Sequence, residues 1–211
     1  MPILLGGLMK MCDNTPPLNI KSTFFVPPSL AVSLSHIIHA EVIDKNKWID
    51  KERRRWSAAF NVPMHPDRPP GFPPRTLPIM RALAAIQHAE AAQDQQQQPR
   101  LTAALDALWH EFFVLHTPTH DPAHLSRILS SSSSSLDAEA ILQAATSEEV
   151  KKRLAQNTDE AFASGAFGLP WMVCTNEAGE TESFWGVDHM GQVAAFLGLE
   201  KPGSGGWKAM L

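Results

Sequence analysis

Ser164-Gly165-Ala166-Phe167-Gly168-Leu169-Pro170-Trp171-Met172-Val173, followed shortly by Phe184-Trp185-Gly186-Val187-Asp188-His189-Met190, carries the most specific pattern in the chain. Its glycines admit unusual backbone angles and its proline removes a donor, so residues 164–170 must be a turn rather than a helix. The apolar run around Pro170 predicts a strand over residues 169–175. Residues 176–179 carry the Asn and Gly of a hairpin turn, and residues 182–186 supply the antiparallel partner. A closing helix is predicted over residues 187–197, led by Asp188 and ended by Gly198.

The chain has 211 residues, 44% of them apolar and 19% charged, which predicts one globular unit with room for an inserted subdomain. With 18 basic and 22 acidic residues the formal charge is −4, and no basic footprint for nucleic acid exists. Cys12 and Cys174 lie far apart and form no C-x-x-C pair. That argues against a disulfide framework and against dithiol chemistry, and it fits a reducing, intracellular compartment. Residues 1–10 have no basic start before their apolar run and are too short for a membrane span, so neither a secretory signal nor a membrane partner is expected.

Upstream, residues 2–5 read as the end of a strand, and Asp13-Asn14-Thr15-Pro16-Pro17 as a loop. Residues 22–43 are compositionally out of place: rich in Phe, Val, Leu and Ile, free of Lys and Arg, and interrupted by Pro27-Pro28. A buried helix over residues 29–42 is the structural reading of that insert. Residues 48–60 predict an amphipathic helix anchored by Trp48, Ile49 and Trp56, with residues 51–55 solvated. Six prolines make residues 64–78 an irregular connection. Helices are predicted over 77–93, 101–113, 137–145 and 147–165, with Leu105, Leu108, Trp109 and Phe112 as core. Ser147 opens the last of these with half a capping box. Between the middle helices, residues 130–135 are all serine and read as a flexible loop.

The Gly165 to Pro170 approach, the hairpin and the Val187-Asp188 turn resemble the C-terminal signature of kappa-class glutathione transferases, which sit in the DsbA-like branch of thioredoxin-like proteins. The likeness extends over residues 2–19, 45–80 and 151–199. It implies an α/β, thioredoxin-like (DsbA-like) sheet with an inserted all-helical subdomain. The partial thioredoxin-like domain would comprise residues 1–60 and 159–211, with the helical insertion at 61–158 and the atypical insert at 22–43. The match begins at the tail of the family's second strand, so an N-terminally truncated fold is the expectation. The family's catalytic serine lies before that point, and no catalytic residue is assigned in this sequence. The strand beginning at Trp171 would then lack its central neighbour, leaving ladders open and predicting a poorly folded or inactive chain.

The resemblance carries over residue by residue. Pro170 is expected to be cis, which turns the backbone N–H and C=O of Leu169 outward to pair with the cysteinyl segment of glutathione. Asp188 would take the γ-glutamyl ammonium, while helix-start N–H groups suit the neighbouring carboxylate. The family places Ser-Asp here and this chain has Val187-Asp188, so one hydroxyl donor is lost and Val187 contributes only backbone. Asn14 matches the Asn of the family's Asn-x-Pro-Pro loop, and Lys45, with Lys47 as understudy, matches the lysine for the glycyl carboxylate.

The function implied is conjugation of glutathione to electrophiles, or peroxide reduction, with glutathione and a small electrophile as partners and a homodimer as the intact assembly. A 2-hydroxychromene-2-carboxylate isomerase using glutathione, or a non-catalytic thioredoxin-like binding protein, are alternatives on the same residues. Kappa-class relatives occur in peroxisomes and mitochondria, so those organelles and the cytoplasm are the expected locations. Family members pass almost directly from the Asn-x-Pro-Pro loop to a lysine-led helix, so residues 22–43 read equally as translated intron or as a lineage-specific loop. No metal is expected. His110, His116, His120 and His124 are close in sequence, and His116 with His120 would share a helix face, but Pro118 and Pro122 interrupt that helix and no cysteine or carboxylate set completes a site.

Overall fold

A computed structural model of the chain describes residues 19–22, 41–91, 98–133 and 136–199, with backbone alone at 19–22 and 41–45. In chain order the described elements are β1 (Asn19–Ser22), α1 (Glu41–Ala59), α2 (Leu77–Ala91), α3 (Pro99–Phe113), α4 (Pro122–Ser132), α5 (Ala138–Ala144), α6 (Glu148–Ala163), β2 (Trp171–Thr175), β3 (Thr181–Trp185), a 3-10 turn (Val187–His189) and α7 (Met190–Phe196). They fall into two compact units, one within Pro63–Gln156 and the other within Lys10–Val62 and Asn157–Leu211.

In the first unit, α3 and α5 each pack on both α2 and α4, closing a ring of four helices. Its centre holds Ile86, Ala104, Ile128 and Leu129, all with 0% exposure. Apolar residues three and four apart on each helix make this possible, and a fully buried Leu or Ile contributes about 1.5–3 kcal/mol. Prolines sit where helices begin, Pro99 in α3 and Pro122 in α4, because a first-turn residue needs no intrahelical donor. Asp121 and Asp137 cap α4 and α5, their carboxylates accepting from Ala123 N–H at 2.9 Å and Ala140 N–H at 3.1 Å. The half capping box is present on α6, where Ser147 Oγ accepts from Val150 N–H at 3.2 Å.

The start of α3 is capped from outside. Gln98 is left-handed, with φ 45°, and its side chain caps nothing. Glu90, fully buried on α2, reaches across instead: one carboxylate oxygen accepts from Arg100 N–H at 2.7 Å and the other from Leu101 N–H at 3.1 Å. A second polar clamp joins α3 to α4, where Arg127 donates to both oxygens of Glu111 at 3.0 Å while the Thr117 hydroxyl donates at 2.6 Å.

Among the described residues the other unit is built on a three-stranded antiparallel sheet, ordered β1-β2-β3. Strand β2 alternates with period two, burying Met172 and Cys174, at 1% and 0% exposure. Its hairpin turn closes with Asn176 and Glu180 exchanging hydrogen bonds, Asn176 N–H to the Glu180 carbonyl at 3.0 Å and Glu180 N–H to Asn176 Oδ1 at 2.9 Å. Met190, Val193, Ala194 and Leu197 are buried on the closing helical segment, and Phe196 meets Phe184 of β3 with ring centroids 5.7 Å apart.

Several expectations are corrected. The edge of β2 that the sequence leaves open is paired with Asn19–Ser22 in antiparallel register, Ile20 opposite Cys174 and Ser22 opposite Met172. An unpaired ladder edge is costly, and this short segment satisfies it. The serine run does not form a flexible loop from its start: Ser130, Ser131 and Ser132 are the last residues of α4. Their hydroxyls donate back to the carbonyls of Ser126, Ile128 and Leu129 at 2.9, 3.0 and 2.8 Å, while buried Leu129 anchors the turn. Trp48 and Ile49 do not anchor α1, being 56% and 47% exposed. Trp48 instead lies under the Arg55 guanidinium, 5.5 Å from its ring, and Trp56 stacks on Phe60. Helix α3 ends at Phe113, so His116 and His120 share no helix face; His116 has φ 59° and its ring lies 4.0 Å from that of His65. The expected strand end at residues 2–5, the loop at 13–17, and the 29–42 helix up to residue 40 lie outside the described residues. Among the described residues no helix is long and apolar enough to cross a membrane.

Both clamps lend themselves to stability measurements. Glu90→Ala strips buried α3 amides of their acceptor and should cost about 1–3 kcal/mol in urea denaturation; a cost below ~0.5 kcal/mol would show that Glu90 does not cap α3. The Arg127 hydrogen bond, and after it that of Thr117, holds the Glu111 carboxyl below the usual carboxylate range. A depressed folded value means stabilisation that is complete at neutral pH and is lost as pH falls through it. Arg127→Ala should therefore lower Tm at pH 7 and converge with the parent chain in strong acid, whereas an offset constant with pH would refute this linkage.

Candidate functional site

The chain arrives from α6 through a compact reversal. Ser164 Oγ donates to the Ala161 carbonyl at 2.7 Å and accepts the Trp171 indole N–H at 2.9 Å, which ties the helix end to the first residue of β2. Ala166 is buried beside Ala161, with Trp171 packed against them. The next three residues turn outward: Phe167 is 57% and Leu169 44% exposed.

The Leu169–Pro170 peptide is cis. Pro170 C=O accepts from Gly186 N–H at 3.1 Å, extending the β2–β3 ladder by one bond beyond the Trp171–Trp185 pair. Among the described residues, Leu169 makes no backbone hydrogen bond. Its N–H and C=O are therefore a short unused strand edge in a half-exposed position, the arrangement by which an extended ligand adds to a sheet.

Aromatic side chains hold this turn to the end of β3. The Phe167 ring lies 4.9 Å from that of Trp185 and 5.6 Å from that of Trp171. Gly168 comes so close to the Trp185 indole that a Cβ on it would lie 2.6 Å from Nε1. Only glycine fits that approach.

Asp188 stands on the 3-10 turn that leaves β3. Gly186 enters that turn with φ 94°, which a side chain resists, and the Asp188 carboxylate folds back over the space where a Gly186 Cβ would sit. The Asp188 side chain is 63% exposed. Its described partner is His189, whose Nδ1 lies 3.3 Å from Oδ1 at angles that fall short of a hydrogen bond. No side-chain capping bond closes either the 3-10 turn or α7, so Asp188 is not spent as a helix cap. A carboxylate in this position can accept from a cationic donor.

Leu169, Pro170, Val187 and Asp188 thus share one unit and are linked through the Pro170–Gly186 hydrogen bond. Asn14 lies outside the described residues, and Lys45 falls in α1 where only the backbone is described. Sequence reasoning passed over Gly168, Trp185, Gly186 and His189. The signal for them was present in the pairing of Gly-x-Pro with Trp-Gly across one hairpin, since Trp171 and Trp185 fall in direct register. Among the described residues, no group of three or more His, Cys, Asp and Glu side chains could hold a metal ion.

Over 91 residues the chain is 35% identical to a protein named glutathione S-transferase kappa 2 from Caenorhabditis elegans, a match covering 43% of this chain and 40% of that protein. The matched part spans about two fifths of that relative's length. Among solved structures, a candidate protein disulfide isomerase from Nitrosomonas europaea has a similar fold, with a TM-score of 0.55 at 12% identity, over 92% of this chain and 87% of that one. The DSBA-like thioredoxin domain family matches residues 1–198. With the fold, the hairpin and the family match in agreement, the chain belongs to the DSBA-like thioredoxin domain family.

Proposed function

We propose that this chain binds glutathione as a kappa-type glutathione transferase, with the tripeptide lying along Leu169 and reaching Asp188. The observation that carries the reading is the unused N–H and C=O of Leu169, fixed through Pro170 and Gly186 to the turn bearing an exposed Asp188. Similarity to a relative named as a kappa glutathione S-transferase supports it.

In this arrangement the cysteinyl backbone pairs with Leu169 as one residue of added strand. Asp188 accepts from the γ-glutamyl ammonium, and the Val187 backbone supports the adjoining carboxylate. Asn14 and Lys45 are the remaining proposed contacts, Lys45 toward the glycyl carboxylate. The ligand's thiol, held by its backbone, loses its proton to solvent and the thiolate attacks an electrophilic carbon. A C–S bond forms, and a halide leaves with the electron pair of the broken bond. The chain's own part is to bind and orient; no side chain is assigned to stabilise the thiolate, so binding and turnover are separate measurements.

Calorimetric titration of the full chain with glutathione tests the reading. Asp188→Ala should weaken binding roughly tenfold or more, the loss typical of a hydrogen bond to a charged group. Leu169→Ala should stay within about twofold, because the contact is made by backbone that both residues share. Absence of saturable binding by the parent chain, or greater damage from Leu169→Ala than from Asp188→Ala, would overturn it. Turnover with an aryl halide, measured alongside, separates a transferase from a binding protein.

A further inference from the structure

The geometry points to Trp185 as a positioning residue that couples the two halves of the glutathione cradle, so that Leu169 and Asp188 grip one ligand together. This rests on the glutathione reading above and goes beyond it, since the Gly186–Pro170 bond joins the two turns at Pro170 and leaves the residues before Leu169 to be held to β3 by other contacts.

Trp185 occupies the junction between those turns. On one side its indole fills the place where a Cβ of Gly168 would be, 2.6 Å from Nε1, and its ring lies 4.9 Å from Phe167. Both contacts are to the residues immediately before Leu169. On the other side Trp185 is followed directly by Gly186, whose N–H donates to Pro170 at 3.1 Å and whose missing Cβ accommodates the Asp188 carboxylate. The indole thus presses the Leu169 turn onto β3 at the point where the Asp188 turn departs. Yet 46% of Trp185 is exposed, more than a residue whose work is core packing would leave in water.

Two weak contacts on one ligand combine strongly only when their separation matches the ligand, because the second then forms at high effective concentration. Without the indole, the β2–β3 ladder would still join Pro170 to Gly186, but Phe167 and Gly168 would lose the contact that ties them to β3. The half-sites would remain, but would no longer be held in common register.

The test is a ligand-by-variant cycle on the full chain, using glutathione and cysteinylglycine, which lacks the γ-glutamyl group and so keeps the proposed Leu169 and glycyl-end contacts while losing that to Asp188. For Trp185→Ala the expected outcome is about a tenfold loss for glutathione, within the range of measured coupling between neighbouring groups, with less than about a twofold change for cysteinylglycine. Gly168→Ala should reproduce that pattern by displacing the indole. In a Trp185→Phe background the smaller ring leaves room for the added methyl, so Gly168→Ala should there cost little. These two variants also keep the test decisive where Trp185→Ala does not fold. Equal loss of both ligands would mean that Trp185 touches the ligand or merely supports the unit, and would overturn the coupling role. Unchanged affinity for both would overturn it as well. Failure of the parent chain to bind glutathione at all is a different result, and removes the underlying reading.

Discussion

The hydrogen bond from Gly186 N–H to the Pro170 carbonyl is the constraint on which the candidate site depends. It is the last bond of the β2–β3 ladder, and it falls where both strands are turning away from the sheet. On one side the chain has just passed Leu169, and on the other it is about to reach Asp188. A backbone bond at that point converts two independent reversals into one piece of structure. Neighbouring side chains reinforce it. Trp171 is fixed through its indole to Ser164, Trp185 sits against Gly168, and Phe167 touches both tryptophans. The polar contacts are short and directional, while the aromatic ones supply area, and among the described residues none of them uses the backbone groups of Leu169.

The helical unit is stabilised on a different plan. Its four-helix ring is apolar at the centre, and its polar side chains cap helix beginnings, clamp α3 to α4 and close the last turn of α4. Glu90 shows the logic most plainly. A buried carboxylate is costly alone, but here two backbone donors and the Arg100 guanidinium surround it, so the charge and the orphan amides of α3 satisfy one another. Glu111 and Arg127 do the same between α3 and α4 with bidentate geometry.

How much of this the sequence disclosed follows from the range of the interactions. The β2–β3 hairpin and the closing helix were legible because their determinants are local: a Gly-x-Pro entry, an Asn-to-Gly turn, and an apolar period that changes from two to nearly four. Helix α4 (Pro122–Ser132) went unpredicted, whereas the other three helices of the ring, α2, α3 and α5, were legible from their apolar spacing. The serine run was not, because composition alone marks Ser130 to Ser132 as loop, while the buried positions of Ile128 and Leu129 and the hydroxyl back-bonds keep the helix going. Trp48 and Ile49 failed for the converse reason, since an apolar residue in a helix names a core only if something packs on it. Pairing of Asn19–Ser22 with β2 joins segments about 150 residues apart, and no local pattern in four residues announces such a partner. Within the candidate site, Leu169 and Asp188 were named by resemblance, but the indole between them was not, because its contact with Gly168 exists only in the folded hairpin.

Family membership and activity rest on different atoms in this chain. Membership rests on the match over residues 1–198, while the cis-proline turn supplies the edge proposed for docking. A docking edge explains affinity and orientation, and orientation alone can accelerate a reaction by prepaying entropy. Generating a thiolate at neutral pH is a further demand, met by groups that stabilise negative charge at the sulfur. Asp188 carries the wrong sign for that role and lies toward the glutamyl end in the proposed pose. Val187 offers no side-chain donor, so in the proposed pose the binding falls to Leu169, to Asp188 and to the register between them. The fewer the contacts in a cradle, the more each depends on being held at the correct spacing. In the proposed pose that dependence falls on the Trp185 indole, half in water and packed on Gly168 at the end of β3.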